Sequence, residues 1–178
     1  MTTQQLRNKL MVCEWLTSLL SLHIGDNYKQ RTIHMTTDFS DSICIAYPAS
    51  WPTTVDEPHC TLIYLGKISE ADFTKQQLLD VLDDIQLPAP GFVETTTVEY
   101  FGKEKNIPVV KLFSLRVLAH RAIIAFELEH IGISSPSEFE FTPHISLSYD
   151  EDHKVDESEI PDQVYLDAPV LWWGEDRD

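Results

Sequence analysis

Two short stretches of this 178-residue sequence repeat one pattern. Pro58-His59-Cys60-Thr61-Leu62-Ile63-Tyr64 and Pro143-His144-Ile145-Ser146-Leu147-Ser148-Tyr149 share the form P-H-x-[ST]-L-x-Y, and 85 positions separate His59 from His144. On a strand, alternate side chains take opposite faces. His59 and Thr61 then share one face, opposite Cys60, Leu62 and Tyr64. His144 and Ser146 share a face in the same way, opposite Ile145, Leu147 and Tyr149. An unperturbed imidazole titrates at about 6.5, so near neutrality one ring can be neutral while its partner is protonated. Facing each other across a phosphodiester, such a pair supplies a general base and a general acid, and the hydroxyls donate hydrogen bonds to the non-bridging oxygens. That chemistry requires no metal or other cofactor. One H-x-T tripeptide at a strand start is commonplace; two copies matched at Pro, His, hydroxyl, Leu and Tyr point to a paired site.

The elements that must carry the two copies are legible from periodicity. Residues 4–24 space apolar side chains at i, i+3 and i+4 and predict an amphipathic helix ending at Gly25-Asp26-Asn27. Its polar face holds few cations (Arg7, Lys9), which favours self-association over a lipid surface. A polar linker follows, so residues 1–35 read as an extension and 36–178 as one domain. A strand over 42–47, stopped by Pro48, leads through a Pro-rich loop holding Trp51 to a strand starting at His59. Ser69-Glu70-Ala71-Asp72 resembles a capping box opening a helix to Ile85. Residues 92–101 and 107–114 predict a β-hairpin, 115–131 a helix with His120 and His130 at its surface, 141–149 a strand, and 164–173 a final strand. Asp150-Glu151-Asp152-His153 reads as a solvated acidic loop rather than a metal loop. Single helices alternating with strand pairs predict an α+β fold, mainly antiparallel, with flanking helices.

The paired motifs resemble those of the 2H phosphoesterase superfamily, named for two H-x-[ST] motifs on sister strands of a bilobal, pseudo-two-fold fold. The likeness covers about residues 42–173 and includes the element order. It implies that His59 and His144 are acid and base, with Thr61 and Ser146 holding the phosphate. Within the superfamily, the run Phe141–Tyr149 and the Trp-rich tail Leu171–Asp178 resemble phage anti-CBASS enzymes, which cleave the cyclic oligonucleotide messengers of antiphage immunity. That resemblance implies a small cyclic nucleotide as partner, Trp173 as the base-binding aromatic of the tail and Asp167 as its acidic counterpart. It also implies a tyrosine from the first strand, where Cys44 aligns and Tyr47 follows. Trp51 adds a loop aromatic able to stack on a base. The alternatives are a LigT-like RNA 2′,3′-cyclic phosphodiesterase and a catalytically idle module that sequesters nucleotides.

Charge narrows the substrate. Against 13 Lys+Arg stand 29 Asp+Glu, a formal net charge of −16. Duplex nucleic acid is excluded, because binding it needs a basic stripe. A ring with two or three phosphates needs none, and an acidic surface disfavours long RNA relative to a compact ring. Lys67, Lys103, Lys105 and Lys111 are the candidate steering cations. The negative field is expected to ease protonation of a site histidine and move the pH optimum upward. Cys13, Cys44 and Cys60 form no CxxC pair, and neither a secretory leader nor an apolar span appears. The expectation is a cytoplasmic protein with reduced thiols and no membrane partner.

Overall fold

The computed structural model describes residues 40–51, 55, 57–102, 106–135, 140–149 and 155–178. The expected N-terminal helix and linker therefore lie outside the described residues, as do Lys103, Lys105 and the acidic loop at 150–154.

The sheet is organised around β1 (Ser42–Ser50). One side of β1 pairs antiparallel with β2 (His59–Lys67), and the other with β7 (Val170–Trp173), to which β8 (Asp176–Arg177) adds. The sequence predicts that Pro48 ends β1, but the strand runs on to Ser50 and Pro48 marks a change of partner. Opposite His59 at the strand border, its missing N–H breaks no ladder bond, while its carbonyl accepts from Asp167 N at 3.0 Å. Beyond it, Ala49 and Ser50 pair with β6 (Gln163–Leu166). From β6 the sheet continues to β3 (Gly91–Phe101), β4 (Ile107–Phe113) and β5 (His144–Ser146), every pairing antiparallel. The expected final strand over 164–173 is thus two strands, broken at Asp167–Pro169. The expected strand over 141–149 shrinks to three residues.

Among the described residues two helices accompany the sheet. Helix α1 (Lys75–Ile85) starts from a capping box of Thr74 and Gln77, one turn after the predicted start. Ser69 instead lies in a single 3₁₀ turn, where its N–H and hydroxyl bond the Asp41 carboxylate at 3.0 and 2.7 Å. Helix α2 (Leu115–His130) is capped by Ser114 and buries Val117, His120, Ile124 and Leu128, a stripe at helical spacing. His120 is therefore a core residue and not the surface histidine expected. Its place in the stripe carries it inward, and its Nδ1 meets the Tyr47 hydroxyl at 2.6 Å.

The main core gathers Ile43, Ile45, Leu62, Val110, Ile145 and Leu171 on one face of the sheet with the buried sides of both helices. A second, smaller cluster of Cys44, Ala46 and Trp172, with Tyr64 and Val170 against it, occupies the opposite face of β1 and β7. The architecture is α+β with a largely antiparallel sheet. Among the described residues no helix is long and apolar enough to cross a membrane.

Candidate active site

Each motif histidine begins a border strand, and the two copies are built alike. The proline before each one contributes a carbonyl to the neighbouring strand. Pro58 O accepts from Ala49 N, and Pro143 O from Leu112 N, both at 2.8 Å. Each imidazole then donates from Nδ1 to the backbone carbonyl two residues earlier, His59 to Glu57 at 2.8 Å and His144 to Thr142 at 2.7 Å. A carbonyl can only accept, so this bond fixes the Nδ1–H tautomer of the neutral ring and leaves Nε2 as the basic nitrogen. Each ring also packs on an aromatic side chain. His59 meets Trp172 with centroids 4.0 Å apart, and His144 meets Phe101 at 4.7 Å.

The hydroxyls accompany their histidines. Thr61 is half-buried opposite Ala46, and Ser146 half-buried opposite Val109. Strands β2 and β5 come together where the His144 backbone N–H bonds the Cys60 thiol. Burial pushes that thiol up to about 12, against the smaller downward pull of the bond. All four expected catalytic side chains thus sit on two adjoining strands, and the charge of His144 is felt at His59.

The motif tyrosines depart from strict alternation. Leu62 and Ile63 are both buried in the main core, because β2 bulges where Ala46 pairs with Thr61 but Ile45 pairs with Ile63. One extra residue reverses the phase of the strand beyond it. Tyr64 therefore joins Cys44 and Trp172 on the face of Thr61. In the second copy the strand ends at Ser146, Leu147 and Ser148 are both buried, and Tyr149 turns back to hydrogen-bond Ser146. Tyr149 also lies near Cys44 of β1.

Comparison of the chain with models of protein families, and with curated proteins, finds no match. The geometry alone therefore carries the reading of the site.

Both site histidines have pKa values below the ordinary imidazole range, against the upward shift expected from the net charge. Desolvation dominates at each. At His59 the Glu57 carbonyl and carboxylate pull upward, while His144 and Arg177 push further down. At His144 the Thr142 carbonyl is the opposing influence. The distributed surface charge matters less than local burial.

The remaining expected contacts scatter. Trp173 lies on the other side of β7, in the main core beside Phe73 at 6.3 Å between centroids. The pairing of Cys44 with Trp172 and Ile43 with Trp173 decides the matter: Trp172, not Trp173, reaches the histidine face. Tyr47 is fully buried in the main core, one residue out of phase with the site face. Trp51 packs against the same core. Asp167 sits exposed in the turn between β6 and β7, its carboxylate accepting from Ala168 N at 2.7 Å. Lys111 lies opposite His144 but pairs with Glu99 at 3.0 Å, and Lys67 is exposed at the end of β2.

Trp172, Phe101 and Arg177 lie near the site with nothing in the sequence to single them out, whereas Tyr149 closes the second motif. Trp172 Nε1 is buried with no hydrogen-bond partner among the described residues. Arg177 lies over the Trp172 ring, its guanidinium carbon 4.0 Å from the centroid. Pairing β7 to β1 first would have distinguished Trp172 from Trp173; no local rule would have found Arg177.

Proposed function

We propose that this protein is a 2H-type phosphodiesterase with a bilobal, pseudo-two-fold fold that cleaves 3′–5′ linkages of cyclic oligonucleotides. The observation that carries the reading is the duplicated construction of the two histidines. Each has the same proline carbonyl bond, the same Nδ1 tie two residues back, an aromatic against the ring and a hydroxyl two residues on. Unrelated strand-start histidines have no reason to share all four.

In the proposed reaction one Nε2 takes the proton of a ribose 2′-OH while the alkoxide oxygen attacks the adjacent phosphorus. The P–O5′ bond breaks, and the other imidazolium gives its proton to the departing 5′ oxygen. The products are a 2′,3′-cyclic phosphate and a 5′-hydroxyl, and the two rings end with exchanged protonation. The ribose holds its own nucleophile beside phosphorus, so the protein need only orient the linkage. Thr61 and Ser146 donate to the non-bridging oxygens, where charge builds in the transition state. Acid and base are both imidazoles, and the scheme assigns no step to a metal. Few cations near the rings suit a compact substrate with two or three phosphates better than a long polyanion.

The test is incubation with 3′,3′-linked cyclic di- and trinucleotides in EDTA, followed by chromatography. Linear or cyclic-phosphate products that disappear in His59→Ala and His144→Ala are expected. An intact panel, or unchanged turnover in either variant, overturns the reading. Faster cleavage of RNA 2′,3′-cyclic phosphate ends than of any ring would transfer it to the RNA-end enzymes.

A further inference from the structure

The C-terminal strand lies against the His59 half of the site although no part of it belongs to the repeated motif. The chain reverses after β7 in a two-residue turn, Gly174-Glu175, between the paired residues Trp173 and Asp176. Gly174 has φ +63, and a Cβ there would lie 2.7 Å from the Ser40 carbonyl oxygen. A positive φ at the first turn position followed by an ordinary one is the type II′ hairpin geometry, which glycine supplies without strain. The turn lays β8 on β7 with Arg177 directly opposite Trp172. Both ends of the strand are anchored: Lys75 of α1 pairs with Asp176 and Asp178, and the backbone of Asp178 pairs with Leu171.

Arg177 makes four hydrogen bonds from its guanidinium. Nε and Nη2 donate to Glu57 Oε2 at 3.1 and 2.8 Å, and Nη1 donates to the Gly174 and Asp176 carbonyls at 2.7 and 3.1 Å. Its plane covers Trp172, whose ring His59 touches. Arg177 therefore reaches His59 by two routes. One runs through Glu57, whose side chain it holds and whose carbonyl fixes His59 Nδ1. The other runs through the indole on which the imidazole rests. Among the described residues nothing equivalent serves His144: its carbonyl comes from the uncharged Thr142, and its ring partner Phe101 belongs to the sheet.

We propose that the C-terminal strand is a strap that orients His59, with Arg177 as the positioning residue. The inference rests on the reading of His59 as one of two proton-transfer groups. The Arg177–Glu57 pair is partly exposed, so it adds little to stability; its effect is to hold a backbone carbonyl and an indole in place. Among the described residues, the charges acting on His59 include His144 across the site, Arg177 on the strap and Glu57 two residues before it.

The experiment uses the full chain and follows the histidine side chains by NMR titration, alongside steady-state cleavage of a cyclic dinucleotide. Hydrogen-bond partners that orient metal-bound histidines are worth about 10–100-fold, and the same scale is applied to a carbonyl that orients an imidazole. Arg177→Ala is expected to lower kcat by about that factor, with a smaller change in KM. It is also expected to move the His59 titration to higher pH, because a neighbouring cation has gone, and to leave His144 where it is. Arg177→Lys returns the charge without the two-pronged grip on Glu57, so it restores the His59 titration but only part of kcat. Glu57→Gln removes an anion and moves the His59 titration the opposite way. If Arg177→Ala does not fold, Arg177→Lys and Glu57→Gln decide the matter alone. Unaltered His59 titration and kcat across the folded variants overturn the strap. A native chain that cleaves no ring while His59 still responds selectively to Arg177→Ala keeps the strap and removes the phosphodiesterase reading. Cleavage with indifferent variants does the reverse.

Discussion

The two halves of the site hold their histidines alike with unlike scaffolding. Around His59 the strand is nine residues long, bulged, and reinforced from the C-terminus; around His144 it is three residues long and is followed by a buried, irregular segment. Yet the Nδ1 bonds differ by only 0.1 Å, at 2.8 and 2.7 Å, and the two proline carbonyl bonds are equal. The placement of each imidazole is thus a property of the few residues on either side of it. A proline, lacking N–H, suits the first position of a border strand, and the carbonyl two residues before the histidine falls within reach of its ring. Strand length, bulges and the strap act on top of that local arrangement.

If both halves are indispensable, each histidine matters as much as the pair. His59→Ala and His144→Ala are each expected to lower kcat by 10³-fold or more in the EDTA assay, on the basis that a positioned proton-transfer group contributes about 10²–10⁴-fold. The double variant should be little worse than either single one, because the groups act as a unit. A half whose loss costs under tenfold would end the symmetry between them.

Removing the hydroxyls probes the next level. Thr61→Val and Ser146→Ala should each cost about 10²-fold, the scale of one lost donor to a developing oxyanion. Interchange by Thr61→Ser with Ser146→Thr should cost far less. Tyr149→Phe distinguishes the halves, since Ser146 has the tyrosine hydroxyl as partner. A loss of about tenfold in kcat is expected there, the lower end of what a positioning partner supplies. Trp173→Phe, acting in the core beside Phe73, should lower the urea midpoint and leave KM unchanged. A KM effect from Trp173 would restore it as the base-binding aromatic.

Acidity gives subtler differences. Both imidazoles are held below the usual range by burial. The kcat/KM profile of the free protein should therefore be a bell with its maximum on the acid side of about 6.5. A bound phosphodiester anion favours both protonated forms, so the kcat profile should lie at higher pH than the kcat/KM profile. An optimum above neutrality in both would return the net-charge argument to force. The smallest effect concerns stability. His59, His120 and His144 all have folded-state pKa values depressed below the unfolded one. The unfolded chain consequently takes up their protons first as pH falls through about 6.5, and the stability present above that value is lost progressively below it. Urea midpoints measured between pH 8 and 5.5 should decline, with a flatter decline in His120→Gln.

The motif, its hydroxyls and the antiparallel α+β plan could be read from the chain because they rest on short-range rules: a repeated heptad of residue types, strand alternation, the turn at Gly102. What escaped depends on pairing between distant segments. Trp172 and Trp173 are equal candidates until β7 is set against β1, and that register is fixed by packing of Leu171 and Trp173 into the core. Tyr64 changed sides because one bulge slipped the phase of β2. His120 looked peripheral because only a tertiary view shows what shares its stripe on α2. Arg177 could not be anticipated, since its partner Glu57 lies 120 residues earlier.

The thiol of Cys60 lies at the seam where the backbone of His144 meets β2, and Cys44 is buried beside Trp172 on the adjoining strand. Both sulfurs are held to pKa values of about 12, so almost none of either is thiolate at neutral pH. Reagents that alkylate thiolates can reach the Cys60 sulfur only during moments when that seam opens. In a Cys13→Ser, Cys44→Ala background, the rate at which Cys60 is labelled becomes a clock for that opening. A cyclic nucleotide bridging both histidines should slow the clock, and one gripping a single half should leave it running.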